Sequence, residues 1–466
     1  MKKTFTLCCC LFSLSAFAKK SPVGNWLGTI DAGPARVRAV FHISDSGGVI
    51  RTIMDSPDQG VKGIRVSVSR FEHDSLTLFL GSASYKGRML DDNTIEGVWT
   101  QGQAFPLIIH REELKEKPQT PVPPFPYLSE DVTFTNKESN MTYGATITAP
   151  RDNKKHPALL LITGSGQQNR DEEILGHKPF MVIADYLTRR GYVVLRVDDR
   201  GKGKTSAGNI MTVTTADFAK DASAELDYLK ARPEVDTGKI GLLGHSEGGM
   251  IATMLAAQRK DIAFIISFAG PGVSNLELML AQNDAILKQQ DLGEDARKAY
   301  LRLYRAMLIA AMNAEGGAAL TASLTKVVTD WRQTTPQKIV AETTDISDST
   351  TQRRFVSTFA MQLGLPWFRY FIAYDPSTIA DKISSKVLVL NGEKDIQVVA
   401  SLNLEGWRAL LRKGNARSYE VKELAGLNHL FQECVRCDVD EYGTLEQTIS
   451  PTALNAIGNW LDKEVK

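Results

Sequence analysis

Two hydrophobic periods divide this chain. Between about Gly24 and Arg111, Val37, Ala39, Phe41 and Ile43 alternate with Arg36, Arg38, His42 and Ser44, and Ile64, Val66 and Val68 alternate with Arg65, Ser67 and Ser69. Successive side chains of a strand point to opposite faces, so this period of two predicts half-buried strands. Turn clusters such as Asp45-Ser46-Gly47-Gly48 separate them. The related pieces Gly24-Asn25-Trp26-Leu27-Gly28 and Gly97-Val98-Trp99-Thr100-Gln101-Gly102 suggest a meander or small barrel over residues 22–115, with a Trp at each end of the strand order plugging the core.

Residues 116–128 carry Pro118, Pro121, Pro123, Pro124 and Pro126. Each proline fixes φ and removes a backbone donor, which predicts a stiff linker and a domain boundary. Beyond it the period changes. Apolar runs of strand length, Ala158 to Thr163, Tyr192 to Val197, Ile240 to Leu243, Ile262 to Phe268 and Lys386 to Leu390, alternate with helical patterns. Strands apolar on both faces and separated by helices predict a buried, mostly parallel sheet of an α/β fold in residues 129–466. From about 272 to 381 the strand signal stops, and Leu276 to Gln290, Glu294 to Met312 and Gln352 to Phe359 read as a helical cap inserted between two strands.

Composition narrows the function classes. With 55 Lys+Arg against 54 Asp+Glu and 43% apolar residues, the chain lacks the basic excess of a nucleic-acid binder and the polarity of a disordered segment. Lys2 and Lys3 precede an apolar run ending in Ala16-Phe17-Ala18, the form of a secretory signal peptide over residues 1–18 with cleavage after Ala18. No later apolar run is long enough to span a bilayer, so a periplasmic or secreted protein is expected. Cys8, Cys9 and Cys10 lie in that signal. The other two cysteines form Cys434-Val435-Arg436-Cys437; two thiols cannot close a structural zinc site alone, and of a redox site and a disulfide clasp the clasp is expected, since no thioredoxin-like strand and helix pattern surrounds them. No metal is expected.

Candidate chemistry centres on Gly244-His245-Ser246-Glu247-Gly248, a G-x-S-x-G motif. An apolar strand runs into it and a helical stretch, Met250 to Gln258, runs out, the context a nucleophile elbow requires. Serine needs a base to take its proton, and in this arrangement acid and base follow in the order Ser, acid, His. Only His429 among the seven histidines lies after Ser246, which makes it the base. Asp395, beyond the strand ending at Leu390, is the expected acid, with Glu393 the alternative. The oxyanion donors are expected from the N–H of Glu247 and from Ser165 in Gly164-Ser165-Gly166-Gln167, with Gln167 as the alternative.

Leu161-Ile162-Thr163-Gly164-Ser165-Gly166, Asp198-Asp199-Arg200-Gly201, Gly244-His245-Ser246-Glu247-Gly248-Gly249, Asn391-Gly392-Glu393-Lys394-Asp395 and Asn428-His429-Leu430-Phe431-Gln432 resemble the EstD-type esterases of the α/β-hydrolase superfamily, relatives of the serine aminopeptidase-like hydrolases. The resemblance covers most of residues 130–466. It implies an α/β-hydrolase fold, carboxylesterase activity on a small-molecule ester, no cofactor, and Ser246, Asp395 and His429 as the catalytic positions. The chain departs from that pattern at Gln167, where Pro is common, and at Cys434 and Cys437 just past the histidine. The expectation is therefore an exported serine carboxylesterase acting on short to medium acyl esters through an acyl-enzyme, with Met279, Met307, Met312 and Met361 of the cap shaping the acyl pocket. A serine peptidase with the same residues is the alternative, and an inactive envelope-binding protein a third reading.

Overall fold

The computed structural model describes residues 20–31, 36–46, 49–56, 61–112, 117–136, 138–290, 292–344 and 346–466, so the expected signal peptide, with Cys8, Cys9 and Cys10, lies outside the described residues. The chain divides into two compact units, Met1–Glu113 and Leu114–Lys466.

The first unit is one antiparallel sheet of nine strands, β1 (Gly24–Asp31), β2 (Arg36–Ser46), β3 (Val49–Ser56), β4 (Val61–Arg65), β5 (Val68–Glu72), β6 (Ser75–Leu80), β7 (Ala83–Asp91), β8 (Thr94–Gln101) and β9 (Gln103–Glu112). Their order is β4-β3-β2-β1-β9-β8-β7-β6-β5. The alternation read from sequence is kept: Ala39, Phe41 and Ile43 are buried with Trp26, Leu76, Leu78, Tyr85 and Trp99 in one apolar core. Both Trp side chains are core plugs, 0% and 4% exposed. Their placement corrects one expectation. β1 and β8 flank β9 in the middle of the sheet, not its two ends, because β9 returns to pair with β1.

The second unit holds an eight-stranded sheet in the order β10-β11-β13-β12-β14-β15-β16-β17, built from β10 (Leu128–Asn136), β11 (Met141–Ala149), β12 (His156–Ile162), β13 (Val193–Val197), β14 (Val235–His245), β15 (Phe264–Phe268), β16 (Lys386–Gly392) and β17 (Ser418–Leu424). β10 and β11 pair antiparallel, and every neighbour pair from β13 to β17 is parallel. Strands β13 and β15 are buried along their whole length, as the continuous apolar runs predicted. Helices α1 (Pro179–Arg189), α2 (Thr215–Lys230) and α3 (Glu247–Gln258) alternate with the strands, and six helices, α4 (Asn275–Gln289), α5 (Glu294–Asn313), α6 (Gly317–Thr334), α7 (Gln337–Thr343), α8 (Ser349–Leu363) and α9 (Pro366–Ala373), are inserted between β15 and β16. α10 (Ala400–Lys413) and α11 (Pro451–Glu464) complete the layers. This is an α/β-hydrolase fold with a helical cap, and a curled antiparallel β domain precedes it. Among the described residues no helix is long and apolar enough to cross a membrane.

The Pro-rich stretch lies along the second unit: Tyr127 donates to Asp185 at 2.7 Å and the Gln119 side-chain amide donates to the Ile449 carbonyl at 2.8 Å. Within the cap, Met307 is fully buried, but Met312 and Met361 are 38% and 69% exposed. The four methionines therefore do not line one pocket. Met312 and Met361 fall on the solvent side of α5 and α8, where the helical period turns them away from the cap core.

Candidate active site

The strand β14 ends at His245 and the helix α3 begins at Glu247, leaving Ser246 alone at the turn with φ 52° and ψ −117°. A positive φ is strained for a residue with a Cβ and persists only where its surroundings hold it. The flanking glycines make that possible. A Cβ on Gly244 would stand 2.0 Å from the carbonyl oxygen of Gly248, and one on Gly248 would stand 2.1 Å from that of Ile162. Strand and helix approach so closely that no side chain fits between them, and the serine is lifted to the carboxyl end of the sheet.

Asp395, after β16, and His429, after β17, meet two and three strands beyond β14. His429 Nδ1 is 2.7 Å from Asp395 Oδ2, and the residues are 4% and 3% exposed. The carboxylate is held on all sides: Asn391 Nδ2 donates to Oδ2 at 3.1 Å, and the backbone N–H groups of Gln397 and Val398 each donate to Oδ1 at 2.8 Å. The alternative acid, Glu393, is exposed, pairs with Lys394 at 3.0 Å and accepts from the Gly426 N–H at 2.9 Å. It is not at the histidine.

The histidine loop is fixed by its own sequence. Asn428 Oδ1 accepts from the N–H groups of Leu430 and Gln432, both at 3.0 Å, and Phe431 stacks on Phe268 of β15. Next in the chain, Cys434 and Cys437 are joined by a disulfide with Cα atoms 5.1 Å apart, and the Glu441 carboxylate accepts from the N–H groups of Val435, Arg436 and Cys437. His177 reaches this segment from the other side, 2.9 Å from the Tyr442 carbonyl and 3.0 Å from the Thr448 hydroxyl. Burial pulls its imidazole down to about 4, with Lys117 adding to the effect and the Tyr442 hydrogen bond opposing it.

The glycine-rich loop after β12 supplies the opposite wall. Glu172 Oε1 accepts from the Gly164 N–H at 2.6 Å, so that donor is committed and the next N–H in the loop belongs to Ser165. The Gln167 amide donates to the Arg200 carbonyl at 2.6 Å. The same Glu172 oxygen lies 3.0 Å from His245 Nδ1, and His245 Nε2 lies 3.1 Å from the His429 carbonyl. Glu247 turns its carboxylate inward, 3% exposed, and accepts from Thr215 at 2.6 Å and from Trp367 of the cap at 2.8 Å. Burial raises its carboxyl, while hydrogen bonds from Thr215, Trp367 and Ser165 partly offset that.

Beneath the loop lies a cavity of about 30 Å³, lined among others by Asp199, Asp221, Glu225, Glu247 and Gly164, with room for about one water. Burial pushes the Asp199 carboxyl up to about 8, against the hydrogen bonds it accepts from Gln168 and Thr163. Glu225 is raised well above its usual range, first by burial and then by Asp221 and Asp199. Sequence reasoning missed Glu172 and gave no role of their own to His245 and Asp199, which it met only inside longer motifs. His245 stood inside the serine motif and Glu172 in the acidic run Asp171-Glu172-Glu173, but pattern alone gave no sign that they meet.

A family model described as X-Pro dipeptidyl-peptidase (S15 family) matches residues 142–418, more than half of the chain. That interval contains Ser246 and Asp395 and ends before His429. Esterase EstD of Thermotoga maritima is 31% identical over 147 residues, 32% of this chain and 34% of the esterase. Acylamino-acid-releasing enzyme 2 of Oryza sativa subsp. japonica is 23% identical over 203 residues, 42% of this chain and 25% of that enzyme. The chain thus spans about a third and a quarter of these curated relatives. Among solved structures, an alpha/beta hydrolase from Penicillium sp. sh18 matches with a TM-score of 0.42 and 17% identity, covering 72% of this chain and 99% of the fungal one.

Proposed function

The chain belongs to the X-Pro dipeptidyl-peptidase (S15) family, and from that premise we propose a serine hydrolase of the peptidase and esterase type in which Ser246 is the nucleophile, His429 the base and Asp395 its orienting acid. The observation that carries this reading is the buried His429–Asp395 pair at 2.7 Å, on the loops that follow β17 and β16, with a serine held at positive φ on the loop that follows β14.

In this mechanism Ser246 Oγ attacks the substrate carbonyl as His429 Nε2 takes its proton. Asp395 accepts from Nδ1, which fixes the tautomer that leaves Nε2 free and stabilises the imidazolium that forms. The negative oxygen of the tetrahedral intermediate is received by the N–H of Glu247, at the amino end of α3, and by the N–H of Ser165. His429 then gives its proton to the departing alcohol or amine. Water repeats the sequence on the acyl-enzyme and releases the acid.

Amide substrates lead over simple esters in this proposal. The matched family is described as a dipeptidyl-peptidase and one relative as an acylamino-acid-releasing enzyme, whereas the esterase match supports acyl esters as the second reading. Parallel assay of dipeptidyl and acylaminoacyl p-nitroanilides against a p-nitrophenyl acyl series separates them. Turnover of an anilide that depends on its N-terminal residues supports the peptidase reading. Turnover confined to the acyl esters replaces it with the carboxylesterase. Export to an oxidising compartment belongs to the same proposal, because the Cys434–Cys437 disulfide is a bond that persists there.

A further inference from the structure

His245 is not part of the Ser246, His429 and Asp395 machinery, yet it is buried against it. It is 6% exposed and Glu172 is 4% exposed. Its two ring nitrogens face two acceptors: Nδ1 is 3.0 Å from Glu172 Oε1 and Nε2 is 3.1 Å from the backbone carbonyl of His429. A carbonyl oxygen only accepts, and so does an ionised carboxylate. A neutral imidazole has one N–H and can satisfy one of them. An imidazolium satisfies both.

We propose that His245 is a permanently protonated positioning residue, an imidazolium clamped between the Glu172 carboxylate and the His429 carbonyl, which sets the places of the histidine loop and the oxyanion loop together.

The oxygen that accepts from His245 Nδ1 also accepts from the Gly164 N–H at 2.6 Å. One charge pair therefore ties the loop after β12 to the loop after β17, with the elbow between them. The packing leaves little slack. A Cβ on Gly164 would stand 3.2 Å from Glu172 Oε1, 3.3 Å from Ser246 Cβ and 3.5 Å from His245 Nδ1. The titratable groups that face the ring are Glu172 from the loop after β12, Asp395 from the loop after β16 and His429 from the loop after β17, while Phe268 and Phe431 contribute only aromatic edges. Burial pulls the imidazolium down, but the charge and hydrogen bond of Glu172, the His429 carbonyl and the Asp395 charge together hold it above the ordinary histidine value. The His245 and His429 ring centroids are 4.8 Å apart. The fixed positive charge therefore lies directly against the proposed base.

The inference rests on the serine-hydrolase reading for its consequence, but its first test needs no substrate. Long-range ¹H–¹⁵N correlation spectra of ¹⁵N-histidine-labelled protein at pH 8 should contain one ring with both nitrogens protonated, absent from His245→Gln and reduced to a single proton in Glu172→Gln. A His245 ring with one protonated nitrogen at pH 8 overturns the proposal. The second test is kinetic, and either variant serves if the other does not fold. His245→Gln and Glu172→Gln should each lower kcat roughly 10- to 100-fold with little change in KM. Each should also move the acid limb of the kcat/KM profile to higher pH, since the proton on His245 is lost in both. A fall in activity with an unmoved limb marks a structural role only and overturns the charge assignment. An imidazolium signal in a protein whose Ser246→Ala variant stays active would leave that assignment standing and remove the catalytic reading instead.

Discussion

Trp367 of the cap donates from its indole N–H to the carboxylate of Glu247, the residue after the proposed nucleophile, at 2.8 Å. Thr215 donates to the same Glu247 oxygen at 2.6 Å, so one side chain at the start of α3 collects a donor from α2 and a donor from α9. The cap is thereby fastened to the element that presents the serine.

Replacing Trp367 by Phe keeps most of the ring and removes only the donor. A buried acceptor that loses a partner costs about 1–3 kcal/mol, so the urea midpoint should fall at unchanged m-value. Because Glu247 also carries a proposed oxyanion donor, kcat should fall as well. A Trp367→Phe protein with wild-type stability and kinetics would show that this bond fastens nothing.

The choice of acid makes a sharp contrast between neighbours. Asp395→Asn keeps the size of the side chain but misorients the imidazole, and should cost roughly 10⁴-fold in kcat. Glu393→Gln, at an exposed side chain paired with Lys394, should stay within about twofold of wild type. The reverse ranking in a steady-state assay would move the acid to Glu393.

Two buried groups impose opposite pH slopes on stability. The Asp199 carboxyl sits at about 8 in the fold against an ordinary 3.8. Its proton is held more tightly in the folded state, so its contribution is complete at low pH and is lost as pH rises towards 8. His177 sits at about 4 against an ordinary 6.5. It folds in its neutral form, so its contribution is present above 6.5 and lost as pH falls towards 4. Each slope is at most about 1.4 kcal/mol per pH unit. Urea unfolding of Asp199→Asn, which still accepts from Gln168 and Thr163, should gain on the wild type as pH rises from 5 to 8. The deficit of His177→Gln should shrink as pH falls from 7 to 5. Differences that stay constant with pH would place both groups at ordinary values.

The sequence made the fold legible where periodicity was strong. The continuous apolar runs became buried parallel strands, and the loss of strand signal after Gly272 marked the inserted helices. Helices α6, α7 and α9 went unread because α7 and α9 are short and the boundaries of all three lack side-chain caps: α6 opens at Gly316, α7 at Pro336 and α9 at Leu365. The Trp pieces looked like opposite ends because repetition in sequence says nothing of which strand returns to which. At the site, motif and chain order brought forward Ser246, Asp395 and His429. The contacts among Glu172, His245 and the His429 carbonyl bring together residues 73 and 184 positions from His245, which no local pattern encodes.

The measurement that tests the central claim most directly is covalent capture of the nucleophile. Treated with a fluorophosphonate, the protein should gain one adduct mass on the peptide containing Ser246, at a rate that Ser246→Ala abolishes and His429→Ala reduces by several orders of magnitude, as expected if the base activates that hydroxyl. Labelling at another serine, or labelling of Ser246 that is indifferent to His429, would contradict the account.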